Sequence, residues 1–120
     1  MRSRLEDLPI ELKQGELVTR YVEWGDMAIR YAHVPAGTDI TPVLEGLPGD
    51  RCPSEHWGLV LSGALTLIHD DGTTELTSAG EAYHWRAGHT AKTDEGAVFL
   101  EVGPTETMRA FGDHAKAKPG

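Results

Sequence analysis

A chain of 120 residues makes one domain and leaves too little for two ordinary cores. Eleven Lys plus Arg against 19 Asp plus Glu give a formal charge of -8, which repels phosphate backbones and anionic lipid heads, so neither nucleic acid nor a membrane surface is expected as a partner. The lone cysteine, Cys52, has no internal disulfide partner, and MRSRLEDLPI has no apolar run of the length a secretory leader needs, so a cytoplasmic protein is expected.

With 14 Gly and 7 Pro, the chain is punctuated by turns and its elements should be short. Residues 1–15 read as an arm, because Leu5, Leu8, Ile10 and Leu12 fit neither the helical nor the strand period and Pro9 interrupts a helix. Glu16 to Trp24 and Asp26 to Val34 are strand-like runs joined at Gly25-Asp26, a hairpin. In the second run Met27, Ile29, Tyr31 and His33 share one face, and that face is expected to be the buried one; Ala28, Arg30, Ala32 and Val34 share the other. From Pro35 to Pro53 the chain is a long irregular connection, of the kind that often carries function.

Six short strands follow, at His56–Ser62, Ala64–His69, Thr73–Thr77, Ala82–Arg86, His89–Thr93 and Ala97–Val102, separated by Ser-Gly, Asp-Gly and Ala-Gly turn signals. Short strands so closely spaced form an antiparallel sandwich or small barrel, here over residues 16–104. Residues 105–120 are expected to hold a helical turn or two with Thr105 as N-cap, then a basic, frayed end. Against this all-β background six histidines stand out, because neutral imidazole is the commonest metal ligand and the usual acid/base near pH 7.

The segment HWGLVLSGALTLIHDDGTTELTSAGEAYHWRAGHT resembles a cupin, with Val60-Leu61-Ser62-Gly63 ending a strand, an Asp-Gly hairpin, and Ala79-Gly80-Glu81 opening a second motif. The upstream GTDITPVLEGLPGDRCPSEHWG is similar to small single-domain bacterial cupins, and the resemblance spans roughly residues 16 to 104. It implies a jelly-roll-like antiparallel barrel, the double-stranded β-helix, commonly dimeric, with a metal held by side chains pointing into one open end. Cupins usually carry two histidines and a glutamate in the first motif, with a glycine seven residues after the glutamate, and a third histidine in the second motif. Seven residues before Gly63 stands His56, and Cys52 occupies the slot of the second histidine. The second motif reads Arg86, Ala87, Gly88, His89, with Ala91 where the histidine usually stands; His89 shares the parity of Ala91 and so can point inward.

Carried over in this way, Cys52, His56 and His89 form a three-ligand site with one open position. A thiolate and two imidazoles suit Zn(II), with Fe, Mn or Ni as alternatives. The plainer reading makes Cys52 a small buried hydrophobe and the histidines a polar lining. His84 is a fourth ligand or a base if the even face of its strand looks inward, and a surface histidine otherwise. His33, Tyr83 and Glu101 are the remaining acid/base candidates. For His33 the alternative is a hydrogen-bonded core histidine. For Glu101 it is an exposed strand-end carboxylate, since only a buried one would have the raised pKa that general acid/base work near neutrality requires. Glu55, His69 and His114 read as solvated. Trp57 has the opposite parity to His56, so an inward His56 puts it on an outer face, and covering that face calls for a homodimer.

There is no Gly-x-Ser-x-Gly elbow, Walker loop, dinucleotide fingerprint or Cys-x-x-Cys. The expected function is therefore that of a metal-binding enzyme of the isomerase, lyase or cyclase type acting on a small oxygen-bearing metabolite. Two alternatives stay open: a small-ligand-binding or sensory module, and an Fe-dependent dioxygenase.

Overall fold

Apart from Ser62-Gly63, the glycine turns fall where the sequence places them, and between them the chain runs almost entirely as antiparallel strand. The computed structural model describes residues 1–117. Its strands are β1 (Ile10–Gln14), β2 (Leu17–Trp24), β3 (Met27–Val34), β4 (Thr38–Asp39), β5 (His56–His69), β6 (Thr74–Ser78), β7 (Ala82–Trp85), β8 (His89–Thr93) and β9 (Ala97–Pro104). Two helices accompany them, α1 (Thr41–Leu44) and α2 (Thr105–Ala117). Hydrogen bonding runs in the order β1-β2-β3-β9-β5-β8-β4, with β6 and β7 also paired to β5, and the sheet curls on itself into the double-stranded β-helix form that the turn spacing predicts. Among the described residues no helix is long and apolar enough to cross a membrane.

The two runs on either side of Ser62-Gly63 are one fourteen-residue strand, β5, rather than the two expected. Its first half pairs with β9 and β7, its second with β6 and β8. A register shift between Val60 and Ser62 turns the strand without breaking it and reverses which parity faces inward. His56 and Val60 are buried before the bulge, Leu65 and Leu67 after it. Gly63 sits at φ +75 with its backbone against the Gly96 carbonyl, where a Cβ would collide, so glycine is required there for both conformation and space.

The 1–15 arm is structured in its second half, because β1 pairs with β2 and places Glu11 in the interior. On β3 the expected polarity is reversed. Ala28, Arg30, Ala32 and Val34 face the core, while Met27 and His33 are exposed on the outside, though Tyr31 is buried against its neighbours there. An arginine among small apolar residues faces inward because its charge is neutralised inside. Within the long connection lie β4, α1 and a short turn at Pro48–Asp50. The tail holds a helix of 13 residues rather than one or two turns, and Thr105 donates its hydroxyl to the Gly25 carbonyl instead of capping. Met108, Phe111 and Ala115 bury one stripe of that helix against the barrel, and this packing extends it. Lys118 to Gly120, part of the end expected to fray, lie outside the described residues.

Candidate metal centre

Backbone pairing assembles the cluster. Cys52 forms a bridge with His89, its N–H donating to the His89 carbonyl at 2.8 Å, while Gly88 N–H donates to the Cys52 carbonyl at 2.8 Å. His56 opens β5 opposite Trp85 of β7, and that register turns it inward. The three side chains meet there, with one donor atom from each lying within 4.8 Å of the other two, and all three residues are buried. Cys52 Sγ stands 3.4 Å from His56 Nε2, and the two imidazole rings meet edge to face at 4.9 Å. The structure thus brings His56, His89 and Cys52 together in the interior.

The donors are suited to a divalent ion. His89 Nδ1 lies 2.6 Å from the Arg86 carbonyl, which fixes Nδ1 as the protonated nitrogen and leaves Nε2 as the lone pair, the usual second-sphere arrangement of a ligating histidine. Burial holds His56 neutral, its pKa pushed down to about 4, and lowers that of His89 as well. Burial also pushes the Cys52 thiol up to about 11, so a thiolate at neutral pH requires a cation beside it. Two neutral imidazoles and a thiol that ionises on ligation are a borderline-soft donor set, which zinc favours.

Next to the cluster lies a buried charge network in which Glu101 and Tyr83 are candidates from the sequence, while Arg30 and Glu11 are not. Arg30 donates to both oxygens of Glu11 at 2.8 and 3.0 Å, to Glu101 Oε2 at 3.0 Å and to the Met108 carbonyl at 2.9 Å. Tyr83 donates its hydroxyl to Glu101 Oε1 at 2.9 Å, and Glu101 Oε2 is 3.7 Å from His56 Nε2. Gly58 makes room for the Tyr83 ring, because a Cβ there would strike it. Glu101 is therefore buried beside the cluster. Burial alone would raise its pKa, but His56 and Arg30 outweigh that and hold the carboxyl below its ordinary range. The raised value expected of a buried glutamate is thus overturned. Burial and the Glu101 charge together push the Tyr83 phenol up, so it stays a proton donor. A signal for Arg30 did exist in the sequence, as a single charge on a strand face otherwise made of Ala28, Ala32 and Val34.

Two candidates lie elsewhere. The β7 register buries Tyr83 and Trp85 and turns His84 outward, where it stacks on Trp57 and pairs with Glu55 at 2.6 Å, so it is no ligand. His33 sits on the outer face of β3, edge-on to Tyr31 at 5.0 Å, and is neither a core histidine nor an acid/base of this cavity. His69, expected to be solvated, is buried with Glu75 3.9 Å away. The His114 ring lies 2.6 Å from the Glu45 carbonyl, tying α2 to the end of α1.

The cluster opens onto a cavity of about 50 Å³ inside the barrel, walled by Leu17, Val34, Leu44, Trp85, Phe99 and Phe111. Leu44 of α1 and Phe111 of α2 bring both helices to this wall. The indole N–H of Trp85 and Nδ1 of His56 are buried without a hydrogen-bond partner among the described residues.

No protein-family model and no curated protein sequence matches the chain. Solved structures do match. The polyketide cyclase RemF from Streptomyces resistomycificus superposes with a TM-score of 0.61 at 24% identity, over 87% of this chain and 78% of that one. An RmlC-like cupin from Shewanella frigidimarina gives 0.62 at 15% identity, over 85% and 87%. Oxalate decarboxylase from Bacillus subtilis gives 0.56 at 16% identity, over 83% of this chain but 28% of that longer one. At these identities the likeness is one of fold, and the fold is that of the cupins.

Proposed function

We propose that this cupin-fold chain binds a divalent metal, zinc first, through Cys52, His56 and His89, and acts on a small oxygen-bearing metabolite in a reaction of the isomerase, lyase or cyclase type. The observation that carries the reading is the buried meeting of one thiol and two imidazoles at mutual distances below 4.8 Å, with His89 oriented by the Arg86 carbonyl. A divalent metal held there would supply Lewis acidity toward a substrate oxygen. The protein's own groups do the rest. Glu101, ionised beside the cluster and held below its ordinary range, is too weak a base for proton abstraction near neutrality and sets the negative charge that faces His56. Tyr83 and Arg30 fix the direction of its carboxylate. The apolar walls exclude water from the reacting centre. A cyclase among the structures of the same fold is in keeping with this chemistry.

A second reading, a module that holds a small ligand without turning it over, is favoured by the small volume of the cavity and by the two helices at its wall. In either case the outer face of the sheet points to a homodimer. Met27, Trp57, Leu59 and Leu61 are 38 to 44% exposed there, and Leu59 pairs in register with Leu100 and Trp57 with Val102. Apolar residues so aligned across neighbouring strands fit a self-complementary contact. A cytoplasmic location keeps Cys52 reduced and free to ligate.

Cobalt substitution tests the metal reading. The cobalt-loaded protein should show intense visible d–d bands together with a near-ultraviolet thiolate charge-transfer band, and Cys52→Ser should abolish the second. An octahedral-type spectrum that Cys52→Ser leaves unchanged would show that the thiol is not a ligand.

A further inference from the structure

Cys52, His56 and His89 are 4, 2 and 2% exposed, so neither an ion nor a small molecule reaches them unless part of the wall moves. Most of that wall is strand. Leu17, Leu65, Trp85 and Phe99 stand on β2, β5, β7 and β9, each hydrogen-bonded to a neighbouring strand, and opening there breaks several ladder bonds at once. Leu44 and Phe111 come instead from the two helices. The connection that carries Leu44 is fastened on both sides of it, by Ile40 N–H to the Ala91 carbonyl at 3.1 Å and by Cys52 N–H to the His89 carbonyl at 2.8 Å.

The helix that carries Phe111 is fastened unevenly. Its first turn is tied down by Thr105, whose N–H donates to the Asp26 carbonyl at 2.9 Å and whose hydroxyl donates to the Gly25 carbonyl at 2.8 Å. Arg30 then holds the Met108 carbonyl at 2.9 Å, and Arg109 donates to both carboxylate oxygens of Glu23 at 3.1 and 3.0 Å. Beyond Arg109, one side-chain hydrogen bond joins α2 to the rest of the protein among the described residues. His114 Nε2 makes it, 2.6 Å from the Glu45 carbonyl; a carbonyl only accepts, so the ring nitrogen donates. The remaining hold on residues 110–117 is the burial of Phe111, Gly112 and Ala115, with the Phe111 ring 4.8 Å from the Arg30 guanidinium. Gly112 stands in this half because a Cβ there would strike the Glu11 carboxylate, and a glycine weakens the helix at that point.

We infer that residues 110–117 of α2 form a gate over the cavity, hinged after Arg109 and latched by His114 on the Glu45 carbonyl. Phe111 is the plug that swings out to admit an ion or a small molecule to the Cys52–His56–His89 cluster. The gate goes beyond the function proposed above and does not depend on a bound metal, because the groups that fasten α2 are not ligands.

Cys52 is the single cysteine of the chain, so its reaction with dithiodipyridine, a small neutral disulfide, reads the opening in protein kept metal-free by chelator. At low urea the rate should rise with less than half the slope of equilibrium unfolding, the mark of a partial opening. His114→Ala should speed the reaction about three- to tenfold, the net worth of one hydrogen bond. Val60→Ala, buried in the barrel away from the cavity wall, lowers global stability but leaves the gate untouched, so it should not change the rate at low urea. The amides of Phe111 and Gly112, which donate across the hinge, should exchange with solvent through the same opening and respond to both substitutions as Cys52 does. A Cys52 reaction that follows the full slope of global unfolding and is sped by Val60→Ala would overturn the gate. So would a rate that His114→Ala leaves unchanged, or Phe111 and Gly112 amides as protected as those of β5.

Discussion

Arg30 is the residue whose removal should be felt most, and the structure sets the scale. Its guanidinium is 4% exposed and bonds Glu11, Glu101 and the Met108 carbonyl. Arg30→Met keeps the length of the side chain and its packing against Phe111, and leaves two buried carboxylates facing one another's charge. Such carboxylates protonate rather than stay ionised, and holding one neutral at pH 7 costs about 3.5 kcal/mol relative to an ordinary glutamate. The loss at pH 7 is therefore about 4 kcal/mol if one carboxyl protonates and about 7 if both do, against a total of roughly 5 to 15 kcal/mol for a typical domain. The sign of the pH dependence follows. In the variant the folded-state carboxyl pKa lies above the unfolded value, so stability falls as pH rises above about 4.3. Each protonated carboxyl changes the loss by about 1.4 kcal/mol per pH unit, so the variant should recover about 3 kcal/mol or more between pH 7 and pH 5. Urea unfolding followed by tryptophan fluorescence, with chelator present and wild type measured alongside, supplies both numbers. A loss below about 1.5 kcal/mol at pH 7, or one equal at the two pH values, would refute the idea that Arg30 neutralises the interior.

The two cluster histidines predict how the metal-free protein responds to acid. His56, lowered to about 4, and His89, also lowered, are neutral when folded and charged in the unfolded chain below pH about 6.5. Stability should therefore be full above that pH and fall by about 3 kcal/mol through His56 alone on the way to pH 4, and His56→Gln should flatten this slope in pH-dependent urea titrations. Gly63→Ala should cost more than about 2 kcal/mol, read as a lowered urea midpoint, because it places a Cβ in the Gly96 carbonyl at a left-handed backbone position. Gly58→Ala should displace the Tyr83 ring from its glutamate, visible as altered near-ultraviolet circular dichroism from the Tyr83–Trp85 stack. Leu59→Arg, at the centre of the exposed apolar face, should convert a dimer into a monomer in sedimentation while leaving metal binding intact; a wild-type mass of one chain at micromolar concentration would remove the dimer from the account.

Local pattern carried most of the fold and about half of the site. The β2–β3 hairpin and the strands from β5 onward follow from alternation and glycine turns, and these are local signals. The cupin resemblance, through the seven-residue spacing to Gly63, implied an inward His56, and shared parity with the motif's usual histidine position implied the same for His89. Burial on β3 was misread because the rule that charges stay outside fails when partners come from far along the chain. Glu11 lies 19 residues before Arg30 and Glu101 lies 71 after it, and no window contains all three. Parity leaves two faces to choose between, and only the pairing of β7 with β5 decides that Tyr83 and Trp85 look in and His84 looks out. The length of α2 was hidden for a similar reason, since a helix holding Gly112 and ending in polar residues has weak propensity of its own and is extended by packing against the barrel.

The central claim is that Cys52, His56 and His89 hold a divalent metal. Elemental analysis of protein purified without added metal and dialysed against a metal-free buffer tests it most directly. About one equivalent of a transition metal per chain is expected, zinc foremost, falling at least tenfold in His56→Ala and in Cys52→Ala. Less than about a tenth of an equivalent in the wild type, with no rise in melting temperature on adding zinc, would contradict it.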